Sequence, residues 1–245
     1  MIAKLIPAYP YYSKRLGEST NNPKSYEDWE ETFGQLIESE LCINSGAVID
    51  IFIYYKQDGN DTTGKDFIYS FEGSTTVNGG VVYVIQSNND RNINGFDIIY
   101  DFLKLKLDCY DYIIYQEDDV ILLKYLSTNY AKKSLKLLES KKVISYSVSV
   151  DDPIIHMGGL FSMFPINDLY KNLDTFPLEP QKDELLINKW LLNCLGVTKL
   201  NDIGILKDYN NVPINYELIP VFNSDYVKHK WITNKNFLFQ VGKIK

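Results

Sequence analysis

Glu117, Asp118 and Asp119 form an unbroken run of three carboxylates directly after the apolar and aromatic stretch Tyr112-Ile113-Ile114-Tyr115-Gln116. Three like charges side by side disfavour one another's ionisation unless a cation or strong hydrogen-bond donors neutralise them. Mg²⁺ or Mn²⁺ does this through one or two carboxylate oxygens, with phosphate oxygens of a nucleotide completing the shell. The other reading of the same run is a helix start, where carboxylates meet the positive end of the helix dipole. The histidines narrow the chemistry further. There are two, His156 and His229, and neither an HExxH nor a GxSxG pattern occurs, so a zinc protease or a serine hydrolase triad is not expected. Acid–base and metal chemistry would rest on Asp and Glu, with at most one or two histidines helping.

The elements that must position these groups follow from apolar periodicity. Residues 2–6 read as a buried strand stopped by Pro7 and Pro10. Ser25 with Asp28 is a capping box, and Trp29, Phe33, Leu36, Ile37 and Leu41 recur at helical spacing until Gly46. Residues 48–55 and 81–86 are β-branched and aromatic, hence strands. Between them, residues 57–80 are rich in Gly, Thr, Asn and Asp, with 67–71 apolar enough for a short strand. Ile98, Ile99, Phe102, Leu103 and Leu105 mark a helix, and residues 112–115 a strand running into the acidic run. Leu123, Leu126, Tyr130, Leu137 and Leu138 mark the next helix. Residues 143–150 alternate serine with apolar side chains, as one strand with a polar face would. Residues 185–195 are apolar nearly all round, as in a buried helix. Strands alternating with helices predict α/β layering about a mainly parallel sheet, with ligands at the carboxyl ends of the strands. Pro7-Ala8-Tyr9, residues 87–91 and the acidic run fall at such ends.

Composition agrees with a folded chain and limits its partners. The 245 residues are 45% hydrophobic and 23% charged, and no linker divides them, so a single domain is expected. A net charge of −7 with scattered basic residues argues against nucleic acid and anionic membrane surfaces. No apolar run reaches the length of a membrane span, the first ten residues read as a strand rather than a leader, and the expected location is cytoplasmic. Cys42, Cys109 and Cys194 are odd in number and far apart, which predicts reduced, mostly buried thiols. No GxGxxG follows the first strand and no P-loop pattern occurs, so dinucleotide oxidoreductases and P-loop enzymes lack their phosphate cradle.

The segment Tyr112-Ile-Ile-Tyr-Gln-Glu117-Asp118-Asp119-Val-Ile-Leu-Leu resembles the DxD region of the GT-A glycosyltransferases, in a Glu-Asp-Asp form. Leu5-Ile-Pro-Ala-Tyr9 is similar to the opening strand and nucleotide loop of family-two members. Ser87-Asn-Asn-Asp-Arg91-Asn-Ile-Asn-Gly95 resembles their segment ahead of the helix that leads into the DxD strand. The resemblance covers roughly residues 1–195 in element order. It implies a GT-A-like fold, a Rossmann-like mainly parallel sheet flanked by helices, with residues 1–120 as the nucleotide-sugar half and 121–245 as the acceptor half. The implied activity is sugar transfer from a nucleoside-diphosphate sugar to a hydroxyl of a glycan acceptor, with Mn²⁺ or Mg²⁺ and inversion at the anomeric carbon.

Carried over position by position, the resemblance makes Asp119 a metal ligand and gives Glu117 and Asp118 sugar or ribose hydroxyls or the metal's waters. Pro7, Ala8 and Tyr9 would border the nucleobase and Arg91 would reach a phosphate, the other readings being a surface aromatic at Tyr9 and a solvated charge at Arg91. Asp183 and Glu184, opening the helix at Pro180-Gln-Lys-Asp-Glu-Leu, are candidates for the base that deprotonates the acceptor, with Asp183 preferred. Many relatives have Glu-Asp where this chain has Asp-Glu, and a decorated helix start is the other reading. Gly158 and Gly159 would border donor sugar and acceptor, or form a tight turn. His229 is the late histidine some members add as a metal ligand, or a surface histidine. Asp151 and Asp152 would touch acceptor hydroxyls or belong to an Asp-Pro turn. Two other functions share these features: a sugar-nucleotide nucleotidyltransferase, which needs a Gly-rich basic loop where residues 7–15 supply only Lys14 and Arg15, and a non-catalytic carbohydrate-binding protein that keeps the fold.

Overall fold

Strand β1 (Ile2–Ala8) lies at the centre of the main sheet, and its alternation builds both cores. Ala3 and Leu5 face one layer, while Ile2, Ile6 and Ala8 face the other. The structure, a computed structural model, describes residues 1–10, 26–56, 62–87, 97–118, 120–122, 128–145, 148–151, 154–157, 161–177, 184–205 and 227–229. β1 runs on through Pro7, two residues past the expected end. Its ladder with β4 (Tyr112–Gln116) has ended at Leu5–Tyr115, so from there it is paired on the β2 side alone, where a proline is tolerated.

The other strands are β2 (Ile49–Lys56), β3 (Val82–Ser87), β5 (Val120–Leu122), β6 (Val143–Ser145), β7 (Val148–Asp151), β8 (Ile154–Met157), β9 (Phe161–Pro165), β10 (Ile203–Ile205) and β11 (Val227–His229). Seven of them form one sheet in the order β10-β6-β9-β4-β1-β2-β3. All neighbours are parallel except β9, which is antiparallel to β4 and to β6. β5 pairs with β11, and β7 with β8, as two small antiparallel ribbons. The expected mixed α/β architecture, a mostly parallel sheet flanked by helices, is the observed one.

Helices α1 (Tyr26–Cys42), α2 (Lys65–Tyr69), α3 (Asp97–Lys104), α4 (Tyr130–Leu138), α5 (Asn167–Lys171) and α6 (Glu184–Cys194) cover the two faces. Trp29, Phe33, Leu36 and Ile37 of α1 are fully buried against Ile6, Ile51 and Ile53, each gaining about 1.5–3 kcal/mol of apolar burial. On the opposite face, Ile99, Phe102 and Leu103 of α3 pack with Trp190 and Leu191 of α6 over Leu5 and Ile113.

Three expectations are corrected. Residues 67–71 are not a strand: α2 forms there, started by Gly64 at φ 74°, and Phe67, Ile68 and Phe71 pack beside Trp29 and Phe33. An apolar run of five residues fits either period, and here i, i+1, i+4 spacing against α1 decides it. Residues 143–150 are not one strand. β6 ends at Ser145 in the main sheet and β7 belongs to the ribbon with β8, a change of partner that unbroken alternation does not reveal. Cys42 and Cys109 are exposed and Cys194 is partly covered, rather than buried. The capping box at Ser25 and the helix positions Leu123 and Leu126 lie outside the described residues. Among the described residues no helix is long and apolar enough to cross a membrane.

Candidate functional site at the carboxyl ends of β1 and β4

The sheet reverses its strand order between β1 and β4. From β1 the chain proceeds to β2 on one side and returns to β4 on the other. In open α/β sheets the crevice for a ligand opens at such a point, outside the carboxyl ends of the strands. Here the two ends are Tyr9-Pro10 after β1 and Glu117-Asp118 after β4.

Asp118 joins them. It is 3% exposed, and its Oδ2 accepts hydrogen bonds from the backbone N–H of Tyr9 at 3.4 Å and from the indole Nε1–H of Trp29 at 3.3 Å. Trp29 is held by stacking on Phe33 at 4.9 Å and by Phe67 edge-on at 6.2 Å. Tyr9 and Pro7 are half-buried, Ala8 is buried, and Glu117 is half-buried beside the closed carboxylate of Asp118.

One residue earlier, Gln116 donates from Nε2 to Glu40 Oε1 at 3.2 Å, so α1 grips the end of β4 a second time. Glu40 Oε2 lies 2.5 Å from Lys4 Nζ, and Lys4 also donates to the Tyr130 hydroxyl at 2.9 Å, with its ammonium over the Tyr130 ring. Burial lowers the Lys4 pKa from its ordinary value while the Glu40 charge opposes that shift. Burial, then Glu40, holds the Tyr130 phenol well above its usual range. These groups were missed by motif reading, although a signal exists. Lys4 interrupts an apolar strand, and Glu40 falls on the α1 face defined by Phe33, Leu36 and Ile37.

On the other side of β1 the carboxyl ends of β2 and β3 carry a second polar group. Ser87 donates to Asp101 Oδ2 at 3.1 Å, and Lys56 Nζ lies 3.8 Å from Asp97. The buried hydroxyl of Tyr54 sits in the field of Asp101, and burial followed by that charge raises its pKa.

The remaining candidates are placed by backbone. β11 lies antiparallel to β5 with His229 opposite Val120, so position 229 faces the residue that follows Asp119. Phe161 is the register partner of Gln116, so the chain enters β9 beside the acidic run, just after positions 158 and 159. Glu184 opens α6, which packs against β8, the strand of His156. Arg91, Asp119, Gly158, Gly159 and Asp183 lie outside the described residues, as does Asp152. Among the described residues no three His, Cys, Asp or Glu side chains form a group that could hold a metal.

No protein-family model and no curated protein matches this chain. Solved structures do. S. aureus TarS (residues 1–349) superposes with a TM-score of 0.50 at 10% identity over 84% of this chain, which spans 58% of that one. The 4-diphosphocytidyl-2C-methyl-D-erythritol synthase of Anaerococcus prevotii matches at a TM-score of 0.44 and 12% identity, over 98% of this chain and 94% of that chain. The likeness to TarS is one of fold.

Proposed function

We propose that the protein is a metal-dependent glycosyltransferase that moves a sugar from a nucleoside-diphosphate donor to a hydroxyl of a glycan acceptor with inversion. The observation that carries this reading is the junction of Tyr9 and Asp118 across the ends of β1 and β4, which sets an acidic run beside a loop able to border a nucleotide. The mostly parallel α/β fold, which is shared with TarS, is compatible with it. Residues 1–120 supply the donor half and 121–245 the acceptor half.

A divalent cation would be held by the Asp119 carboxylate and the His229 imidazole, position 229 lying opposite position 120 in the β5–β11 ribbon, together with diphosphate oxygens of the donor. When bound, Mn²⁺ or Mg²⁺ would neutralise the charge that accumulates on the leaving diphosphate. Tyr9 borders the base with Pro7 and Ala8 behind it, Arg91 takes a phosphate, and Glu117 takes a sugar or ribose hydroxyl. Gly158 and Gly159 let the backbone approach the transferred sugar. Asp183 accepts the proton of the acceptor hydroxyl as that oxygen attacks the anomeric carbon, with Glu184 beside it.

The test is turnover. Sugar nucleotides incubated with the protein, Mn²⁺ and a panel of glycans should release nucleoside diphosphate, and Asp183→Asn should lower kcat by about 10²-fold or more with little change in KM. Release of pyrophosphate from a nucleoside triphosphate and a sugar phosphate, without nucleoside diphosphate from any sugar nucleotide, would replace this reading with a nucleotidyltransferase.

A further inference from the structure

The ladder between β1 and β4 stops at Leu5–Tyr115, yet the chain continues on both sides, to Tyr9 and to Asp118. Past that point backbone pairing no longer sets the distance between the two loops. The Asp118 carboxylate spans the gap, taking the N–H of Tyr9 from one loop and the indole N–H of Trp29 from α1. Trp29 is fully buried in the cluster with Phe33, Ile37 and Ile53, so it reaches no ligand itself. Gln116, bonded to Glu40 of the same helix, fixes the start of the acidic run from below. α1 therefore holds this loop at two points.

We infer that Asp118 is a positioning residue: it is the clasp that sets the width of the donor crevice by tying the loop after β1 and helix α1 to the loop after β4. This inference rests on the donor-site reading above and deepens it. A carboxylate turned inward onto two N–H donors has its charge stabilised by those hydrogen bonds rather than by a cation. The clasp needs an acceptor oxygen rather than a charge. An asparagine at position 118 supplies that oxygen, and an alanine does not.

The experiment compares Asp118→Asn, Asp118→Ala and Trp29→Phe with the wild type by two readouts. The first needs no ligand. The chain has three tryptophans, and the ¹⁵N–¹H indole resonance lost in Trp29→Phe identifies Trp29. That resonance should be protected from exchange with water in the wild type and in Asp118→Asn, and lose protection in Asp118→Ala. The second is calorimetric affinity for UDP, GDP and dTDP with Mn²⁺. Affinity for the diphosphate that binds should fall at least about tenfold in Asp118→Ala and in Trp29→Phe, and recover to within about threefold of wild type in Asp118→Asn. Trp29→Phe keeps the ring stack on Phe33, so it carries the test if Asp118→Ala does not fold. Equal loss in Asp118→Asn and in either other variant would show that the charge itself faces donor or metal and overturn the proposal. An indole resonance indifferent to Asp118→Ala would overturn the clasp. Wild-type protein that binds none of the diphosphates overturns the donor reading and the positioning role together, while the indole readout still decides whether the clasp exists.

Discussion

Removing Glu40 is the perturbation with the largest expected effect on the fold. Its carboxylate lies 2.5 Å from Lys4 Nζ, with the side chains 3% and 0% exposed. At an effective dielectric of about 20 the attraction at that separation is about 7 kcal/mol, most of which offsets the cost of taking both charges out of water. The pair together contributes little, while either charge alone is expensive. Glu40→Leu leaves the Lys4 ammonium between the Tyr130 and Phe161 rings and should cost about 3–5 kcal/mol. In a chain of this length that is a fall in Tm of about 6–20 °C. The double variant Lys4→Met/Glu40→Leu removes the unpaired charge but still loses the Gln116 and Tyr130 hydrogen bonds to Glu40, so it should recover part of the loss and stay below wild type. A pH series adds a sign. Burial lowers the Lys4 pKa in the fold, so the unfolded chain binds more protons between that value and about 10.4, and stability rises with pH across this window. Without Glu40 the opposing attraction is gone, the window extends downward, and the deficit of Glu40→Leu should shrink as the pH is raised above neutral. Urea denaturation followed by circular dichroism measures all of this. A loss below about 1 kcal/mol in Glu40→Leu, or a double variant as unstable as the single one, would show that Lys4 and Glu40 are not a coupled buried pair.

Two further predictions concern stability. Burial holds the phenols of Tyr54, Tyr110 and Tyr130 above their ordinary pKa, with Asp101, Asp50 and Glu40 respectively adding to the shift. The folded chain therefore binds more protons than the unfolded one above about pH 10, and stability should fall from there once the Lys4 gain is complete, with phenolate absorbance rising in step with unfolding. Independent ionisation of these tyrosines in a folded protein would contradict that. Asp50 accepts the Val81 N–H at 2.8 Å and the Tyr110 hydroxyl at 2.7 Å, so Asp50→Ala should cost about 2–4 kcal/mol in denaturant unfolding, and a change below about 0.5 kcal/mol would contradict the assignment.

Long periodic segments were legible in the sequence because burial on one face leaves a pattern. The α1 face from Trp29 to Leu41 and the apolar strand before the acidic run are found where periodicity puts them. Short apolar runs were less so. Residues 67–71 fit strand and helix alike, and only their packing on Trp29 and Phe33 selects the helix. Residues 143–150 keep a strand's alternation while passing from one sheet to another, since the period reports the local pleat and not the partner. Within the candidate site the acidic run was visible as three charges needing compensation. That Asp118 is compensated by Trp29 and Tyr9 is a tertiary fact, because these residues are 89 and 109 positions away in sequence. Lys4 and Glu40 stood in the sequence as charges at core positions of opposite sign, but their pairing needed α1 and β1 side by side.

A metal-dependent donor site built on the acidic run makes nucleotide binding depend on both Mn²⁺ and Asp119, which calorimetry of the wild type and Asp119→Ala against UDP, GDP, dTDP and CMP, with and without Mn²⁺, measures. One nucleotide should bind the wild type with Mn²⁺, weaken by at least about tenfold without it, and weaken equally in Asp119→Ala. Absence of binding by all of them to folded wild-type protein, or binding indifferent to both Mn²⁺ and Asp119, would contradict the account.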